Sequence, residues 1–169
     1  MARIIKNRAI VEDGWHVLRL NEGESAESVA LPDGPVIVPF EVWQARGATL
    51  KARGNFGVWL DSHQGPELIA DDLAHFALIA LNYPKFTDGR AYSSARLLRE
   101  RYQYRGELRA IGDVLHDQLF FMHRVGFDAF ALKADKDIEK ALQQAFSVFS
   151  DAYQTAVDVN LPHYRRRVA

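Results

Sequence analysis

The sequence contains no cysteine in 169 residues. Without a thiol the chain cannot form a disulfide, a thiolate nucleophile, a dithiol redox pair or a cysteine-ligated iron–sulfur cluster. It also lacks any apolar run near the roughly 18 residues that a bilayer span requires. Lys6, Asn7 and Arg8 interrupt the start of the chain before the apolar core of a signal peptide can form. These absences predict a cytoplasmic protein that does not enter the membrane.

The motifs of common catalytic and cofactor sites are missing as well. The glycines are scattered and form no phosphate-binding signature, and there is no GxSxG nucleophile elbow. The six histidines form no HExxH or paired i, i+4 arrangement, so no metal site is expected. No cofactor is evident from the residues. Electron transfer would need a bound flavin, a nicotinamide or another protein's cofactor, so a flavin stays open.

Length and composition predict one domain over residues 1–169. With 48% hydrophobic residues and a net charge of −1, the chain is large enough for one buried core and too short for two ordinary ones. We divide it into a hairpin and acidic loop (1–34), a strand-helix core (35–155) and a basic tail (156–169). The residues leave the oligomeric state open, a homo-oligomer included.

The charges are unevenly placed. Residues 12–41 contain seven acidic residues and one basic residue, a net charge of −6, whereas residues 90–109 contain six arginines and two glutamates, a net charge of +4. Two interpretations follow. The arginines pair internally, Arg96 and Arg99 with Glu100 and Arg109 with Asp113, Asp117 or the acidic segment, or they meet a charged partner. Nucleic acid is not expected as that partner, because the whole chain is slightly acidic and carries no recognised nucleic-acid module.

We predict an α/β fold with five strand-helix units after residue 35. Short apolar runs alternate there with amphipathic stretches, which is typical of a mostly parallel sheet. The predicted strands are Val36–Phe40, Val58–Asp61, Ala77–Asn82, Glu107–Ile111 and Ala129–Lys133. The predicted helices are Glu41–Ala52, Pro66–His75, Ser93–Tyr104, Asp113–Val125 and Lys136–Tyr153. An open flavodoxin-like sheet fits this order, and half of an eight-fold barrel is the alternative.

Two local patterns refine this fold. Arg3–Ile10 and Trp15–Leu20 are apolar runs on either side of Glu12-Asp13-Gly14, which predicts an N-terminal hairpin with its turn there. In the fourth helix, the 3.6-residue period places Phe121 on the buried arc and Phe120 on the polar arc. Phe120 is therefore misplaced for a simple surface helix.

Polar residues collect where the predicted strands end. In a parallel sheet these ends share one edge, and open α/β sheets bind ligands there. Helix capping and turn formation are the alternative roles for several of these residues. The candidate strand-end site consists of Asp61, Asn82, Asp88, Arg90, Asp113 and Lys133.

The segment from Gly89 to Phe130 resembles domain-of-unknown-function family 934. The resemblance rests on Gly89-Arg90, Ala95-Arg96-Leu97-Leu98-Arg99, Gly106-Glu107-Leu108-Arg109-Ala110, Gly112-Asp113-Val114-Leu115, Asp117-Gln118 and Gly126-Phe127. Members of that family are typically encoded beside sulfite reductase in bacterial sulfate assimilation. The resemblance thus implies an accessory protein of assimilatory sulfite reduction that assists electron delivery to a siroheme enzyme. It implies a pathway and no catalytic mechanism.

If sulfite reductase is the partner, the arginine-rich segment is the expected contact. Guanidinium groups bind carboxylates bidentately, and exposed aromatic rings are frequent at the centres of interfaces. The candidate partner-binding residues are Arg96, Arg99, Arg101 and Phe120. A small enzyme of sulfur metabolism that uses the strand-end site is the alternative function.

A second alternative is a degenerate receiver-like binding module. Residues 78–84, 88–89 and 126–133 resemble the later half of a response-regulator receiver domain, with Lys133 placed as the receiver lysine. Asn82 stands where the receiver carries its phosphorylated aspartate. Pro39 and Phe40 replace the acidic pair at the end of the first strand, so phosphorelay chemistry is not expected.

Overall fold

The computed structural model describes residues 2–147 and 151–166 and has an α/β fold. Within these residues eight strands form one mostly parallel sheet in the order β2-β1-β8-β7-β6-β5-β4-β3. The strands are β1 (Ala2–Lys6), β2 (Ala9–Asp13), β3 (His16–Val17), β4 (Val36–Pro39), β5 (Phe56–Leu60), β6 (Leu78–Tyr83), β7 (Glu107–Gly112) and β8 (Ala129–Phe130). The five predicted core strands are thereby confirmed, each with shifted ends.

The order of the parallel strands is that of a half-barrel. From β4 to β8 each new strand is added beside the preceding one, and the order never reverses. A flavodoxin-like or receiver sheet has the order 2-1-3-4-5, with a reversal after the second strand. The predicted flavodoxin-like arrangement is therefore wrong, and the half-barrel alternative is confirmed.

The N-terminal hairpin exists, but its turn is not at Glu12-Asp13-Gly14. β1 and β2 pair antiparallel, and the turn lies at Asn7 and Arg8, both with positive φ (50° and 61°). Two successive residues with positive φ are characteristic of a type I′ hairpin turn. β1 then pairs antiparallel with β8, while β3 pairs parallel with β4 at the opposite edge.

The first predicted helix is slightly longer than predicted, the second has the predicted bounds as a 3-10 helix, and the last three are shorter. The helices are α1 (Phe40–Arg53), a 3-10 helix (Pro66–His75), α2 (Arg90–Glu100), a 3-10 turn (His116–Gln118), α3 (Leu119–Arg124), α4 (Ile138–Ala145) and α5 (His163–Arg166). The predicted helix Lys136–Tyr153 ends early, and residues 148–150, Phe149 among them, lie outside the described residues. The predicted basic tail contains α5, and Arg167 is likewise outside them.

Alternate residues of each strand face two different layers. Val58, Leu60, Ile79 and Leu81 belong to the main core, in which the helices pack against the outer, convex face of the sheet. Ile37, Leu78, Ala80 and Ile111 form a smaller apolar cluster on the other, concave face. The period of two along each strand produces this division. All crossovers place their helices on the convex side, as right-handed connections between sequential strands require.

Side-chain contacts across the concave face show how strongly the sheet curls. Asp13 of β2 accepts a hydrogen bond from Arg109 of β7 at 2.9 Å, although the two strands are three positions apart in the sheet. In a flat sheet that separation would be about 14 Å. The edge strands β2 and β3 are joined by Gly14 and Trp15 alone, so the two edges of the sheet are also close along the chain.

Candidate functional site

The end of the half-barrel where the parallel strands finish carries a connected polar network. Asn82, the buried fifth residue of β6, donates from Nδ2 to Asp61 Oδ1 at 2.9 Å. Arg19, which follows β3, donates from Nη2 to Asn82 Oδ1 at 3.3 Å. The structure therefore brings together the predicted residues Asp61 and Asn82 and adds Arg19, which the sequence analysis did not identify.

Asp61 is the most connected carboxylate of this network. Besides Asn82, it accepts a hydrogen bond from the backbone amide of Ser62 at 2.9 Å. Its other oxygen lies 3.5 Å from Nδ1 of the exposed His63. Its own backbone amide donates to the side chain of the buried Gln64. Asp61 is thus fixed in orientation and has one oxygen directed towards a histidine.

Trp59 forms part of the apolar floor beneath these polar groups. Its indole Nε1 donates to the backbone carbonyl of Leu18 at 2.8 Å, and the guanidinium carbon of Arg19 lies 5.2 Å from the ring centroid. The interaction between a guanidinium and an indole face is favourable because the ring carries negative charge above its plane. Trp59 therefore holds both the backbone before Arg19 and its side chain.

Asp88 and Arg90 pair with each other on the loop after β6. Arg90 donates to both carboxylate oxygens of Asp88 and to Ser62 Oγ at 2.8 Å. The hydrogen bonds from Arg90 are the main reason that the pKa of Asp88 lies well below its usual range. Through Ser62, this pair joins the loop after β6 to the loop after β5.

Asp113 and Lys133 form a separate ion pair at the ends of β7 and β8. Lys133 Nζ lies 2.6 Å from Asp113 Oδ1, and the backbone amide of Phe86 donates to Oδ2 at 3.0 Å. Lys133 first, and then the Phe86 amide, lower the pKa of Asp113. Helix capping was the alternative role for Asp113. It is wrong, because the helical turn that follows begins at His116 and has Leu115 as its N-cap. Lys133 contacts Asp113 and not Asn82, so the receiver-like arrangement is not formed.

Gly112 permits this close approach of β6 and β7. Its φ is +91°, and a Cβ at this position would lie 2.4 Å from the carbonyl oxygen of Tyr83 and 2.7 Å from Asn82 Oδ1. A side chain would therefore be strained and would displace Asn82. The glycine directly precedes Asp113, so it fixes the spacing of two site residues.

A buried ionic cluster lies elsewhere on the concave face. Arg109, 1% exposed, pairs with Asp13 at 2.9 Å and with Glu107 at 2.7 Å, and Lys6 lies 2.7 Å from Glu107. These four residues border a cavity of about 160 Å³. The predicted pairing of Arg109 with the acidic N-terminal segment is confirmed. Because the four charges balance and the buried groups are paired, the cluster fits a structural role.

The arginine-rich segment is partly internal. Arg99 is buried and donates to the carbonyls of Gly126, Tyr104 and Gly106 and to Asp128. All of its nitrogens are occupied inside the protein, so the expectation that Arg99 contacts a partner is corrected. Arg96 pairs with Glu100 at 2.9 Å, as one interpretation predicted, but both side chains are about half exposed.

Arg101 remains a candidate for partner binding. It is exposed at the end of α2, and its guanidinium carbon lies 5.6 Å from the ring centroid of Tyr102. Among the described residues it forms no ion pair. Its charge is therefore available to a carboxylate of another molecule.

The two phenylalanines of α3 have exchanged the predicted environments. Phe121, predicted on the buried arc, is 53% exposed and contacts Tyr92 edge-on at 5.4 Å. Phe120 is half-buried and lines a cavity of about 320 Å³ with Arg8, Phe146 and Arg166. The prediction failed because α3 is only six residues long and enters from a 3-10 turn, which rotates its faces.

The residues of the strand-end polar network that the sequence did not predict are Arg19, Trp59 and Gln64. A signal for Arg19 exists in the period of two, since Trp15, Val17 and Arg19 alternate with Leu18 and Leu20. The first two of these belong to the concave cluster, whereas Leu18 lies in the main core. The strand that carries the pattern has only two paired residues, too few for its edge position to be inferred.

Residues 2–147 and 151–166 carry neither a metal-ligand cluster nor a membrane-spanning helix. They contain no group of three or more histidine, aspartate or glutamate side chains that could hold a metal ion. Every helix within the same residues is too short or too polar to cross a bilayer.

Comparison with known proteins gives one match. The model of a family described as "Bacterial protein of unknown function (DUF934)" matches residues 57–164, more than half of the chain. No curated protein and no solved structure matches. The matched region includes β5 to β8 and most of the strand-end site, and the family is the one that the sequence resembles. The chain therefore belongs to the DUF934 family of bacterial proteins.

Proposed function

We propose that this protein is a cytoplasmic accessory factor of assimilatory sulfite reduction that binds sulfite reductase and assists electron delivery to its siroheme. The pathway comes from the resemblance to DUF934, because members of that family are typically encoded beside sulfite reductase. The structural observation that supports binding is a surface on α2, α3 and the C-terminal segment that contains α5, where aromatic rings surround an arginine. We call it the aromatic-arginine surface: Tyr92, Arg96, Phe121, Tyr153 and Tyr164.

The residues of this surface are contiguous. Tyr92 contacts Phe121 at 5.4 Å between ring centroids and lies one turn before Arg96 on α2. Arg96 borders a cleft of about 380 Å³ that is also lined by Tyr153 and Tyr164. Phe121, Tyr153 and Tyr164 are 53%, 77% and 63% exposed. Aromatic and arginine side chains are enriched at the buried centres of protein interfaces, which is the composition found here.

Positive charge lies beside the aromatic rings of this surface. Arg101 lies beyond Arg96 on the same helix without an ion pair in the described part of the chain. We expect these guanidinium groups to meet acidic residues of sulfite reductase and to accelerate association. Because exposed charges are screened over about 8 Å at physiological ionic strength, the complex should weaken as salt increases.

Binding is tested with the two purified native proteins by surface plasmon resonance at low and physiological salt. Phe121→Ala should mainly increase the dissociation rate, because it removes buried aromatic area. Arg101→Ala should mainly decrease the association rate. Leu68→Ala is the matched control, since Leu68 is an exposed apolar residue (47%) on the 3-10 helix Pro66–His75. If no complex forms at low salt and none is trapped by crosslinking, direct binding is wrong.

The pathway is tested separately from the binding. A deletion strain is grown on sulfate, sulfite or sulfide as the sole sulfur source. Growth on sulfide alone supports a requirement at or before sulfite reduction. Growth on sulfite but not on sulfate moves the requirement upstream and contradicts the proposal.

A small enzyme of sulfur metabolism is the second candidate function. It is favoured by the contact between His63 and Asp61, because a carboxylate that orients a histidine is a common general-base arrangement. Complementation of the deletion strain by His63→Gln, Asp113→Asn and Arg90→Ala distinguishes the two functions. Full complementation by all three folded variants excludes catalysis at the strand-end site and leaves the docking proposal unaffected.

A further inference from the structure

The arginines of this protein differ in how many of their donors are used internally. A guanidinium group has five N–H donors. Arg109 directs Nε and both terminal nitrogens at Asp13 and Glu107, and Arg90 is paired with Asp88 and Ser62. All three nitrogens of Arg109 and two of the three of Arg90 are therefore occupied, which leaves these groups less capacity for a ligand.

The guanidinium group of Arg19 has unused hydrogen-bond donors. Within the described residues its one hydrogen bond joins Nη2 to Asn82 Oδ1 at 3.3 Å, and its Nε and Nη1 have no acceptor. It also has no carboxylate partner there, although the side chain is held in place by Trp59. A positioned guanidinium with an open edge is preorganised for a bidentate oxyanion.

The surroundings of Arg19 are those of a ligand site. It lies at the mouth of the half-barrel, at the strand ends where parallel sheets bind ligands. Trp59 lies beside Arg19 and packs on the concave cluster, as do Val17 and Ala131, and all three apolar side chains are only partly buried. Partly exposed apolar side chains beneath a few fixed polar groups are typical of small-molecule sites.

The buried side chain of Asn82 is a second, independent observation in favour of a ligand site at Arg19. Its side chain is more than nine-tenths buried, and its amide connects Arg19 with Asp61. Because Asp61 accepts from Nδ2, the amide oxygen must face Arg19, so the orientation of the guanidinium is set from below. Asn82 is the buried member of this chain of hydrogen bonds, and a hydrogen-bonded buried amide gives the exposed Arg19 a rigid support.

We propose that Arg19 is the anion-binding residue of a small-molecule site at the mouth of the half-barrel, and that its ligand carries a carboxylate or a tetrahedral oxyanion. The oxyanion accepts at the edge of the guanidinium that Asn82 leaves open, from the second N–H of Nη2 together with Nε or Nη1. The rest of the ligand lies against the partly buried Val17 and Ala131. This site is independent of the aromatic-arginine surface, and binding of sulfite reductase does not require it.

The site is tested by NMR titration of the ¹⁵N-labelled full chain with benzoate and, separately, inorganic phosphate at constant ionic strength. The reporter is the Trp59 indole N–H, which donates to Leu18 beside Arg19 and is assigned with Trp59→Phe. We expect saturable shifts with a dissociation constant on the order of millimolar for such small probes. Saturation by benzoate alone identifies a carboxylate ligand, and saturation by phosphate alone identifies a tetrahedral oxyanion.

Three variants complete the test. Arg19→Gln should weaken binding at least about tenfold, because it removes a charged hydrogen-bond donor, and Arg19→Lys should be intermediate because it keeps the charge without the fork. Arg105→Gln is the control, since Arg105 is exposed and donates to Gln103 on the loop before β7. The proposal is wrong if neither probe saturates, or if Arg19→Gln binds as tightly as the unaltered protein while its other resonances are unchanged.

Discussion

At the residue scale, the most consequential side chain of the concave face is Arg109. It is almost fully buried and pairs with Asp13 and Glu107, whose side chains are 8% and 9% exposed. Removing one partner of a buried ion pair leaves uncompensated charge in the interior. Arg109→Leu should therefore lower the free energy of unfolding by about 3 kcal/mol or more.

Urea unfolding of the variant measures this loss. Arg96→Leu serves as the control, because the Arg96–Glu100 pair is exposed and such pairs contribute less than about 1 kcal/mol. The double variant Arg109→Leu, Asp13→Leu should recover part of the stability, since it removes charge of both signs. Equal effects of Arg109→Leu and Arg96→Leu would show that the cluster is not buried in solution.

His123 gives the protein a pH dependence near neutrality. Burial, and to a smaller extent Arg8, lower its pKa below the ordinary 6.5. The unfolded chain therefore binds a proton more readily than the folded protein, and the free energy of unfolding decreases as the pH falls below about 6.5. His123→Leu should flatten this dependence in urea unfolding at pH 7.5, 6.5 and 5.5. His16→Gln, which changes an exposed histidine, should not.

The sequence predicts the position of a residue in the fold where a strand end is evident. Asp61 and Asn82 follow or end uninterrupted apolar runs, and the structure places them in contact. Arg99 was misjudged because helical periodicity gives a face of the helix and not the depth at which a side chain lies. Phe120 was misjudged because the short α3 follows a 3-10 turn that rotates its faces. The glycine carbonyls that occupy Arg99 come from turns that no local pattern indicates.

At the element scale, α4 is a helix whose start is fixed by a side-chain cap. Asp137 is its N-cap and accepts a hydrogen bond from the backbone amide of Lys140 at 2.9 Å. Asp137→Ala should lower the free energy of unfolding by about 1 kcal/mol, because an amide of the first turn loses its acceptor. Asp135→Ala is the control, as Asp135 is exposed and forms only an ion pair with Lys136. Thermal unfolding of both variants gives the comparison, and equal midpoints would contradict the capping role.

The N-terminal hairpin shows why an element is predicted more easily than its turn. Glu12-Asp13-Gly14 has the composition of a hairpin turn, yet it carries the chain from one edge of the sheet to the other. The observed turn at Asn7 and Arg8 is less conspicuous, since arginine rarely adopts positive φ. Pairing of β1 with β8 is a contact between distant segments and leaves no trace in local composition.

At the scale of the whole molecule, the order of the strands is what the sequence did not determine. Five buried strands with helices between them give the same sequence pattern in a half-barrel and in a flavodoxin-like sheet, since both folds bury each strand on two faces. The two folds differ in whether one crossover leads back across the sheet and places the next strand on the other side of the first strand. Here none does, so the sheet curls without a reversal and its strand ends surround a mouth instead of a crevice.

The pairing of β1 with β8 has a consequence for synthesis on the ribosome. β1 and β2 are translated before the parallel core, yet β1 must wait for β8, about 125 residues later, to join the sheet. Folding should therefore be largely post-translational, because pairings so distant in sequence form late. Nascent chains stalled with residues up to 125 outside the ribosome should leave Arg3 and Arg8 open to trypsin. Release of the full chain should then protect Arg109, whose burial requires both ends of the sheet.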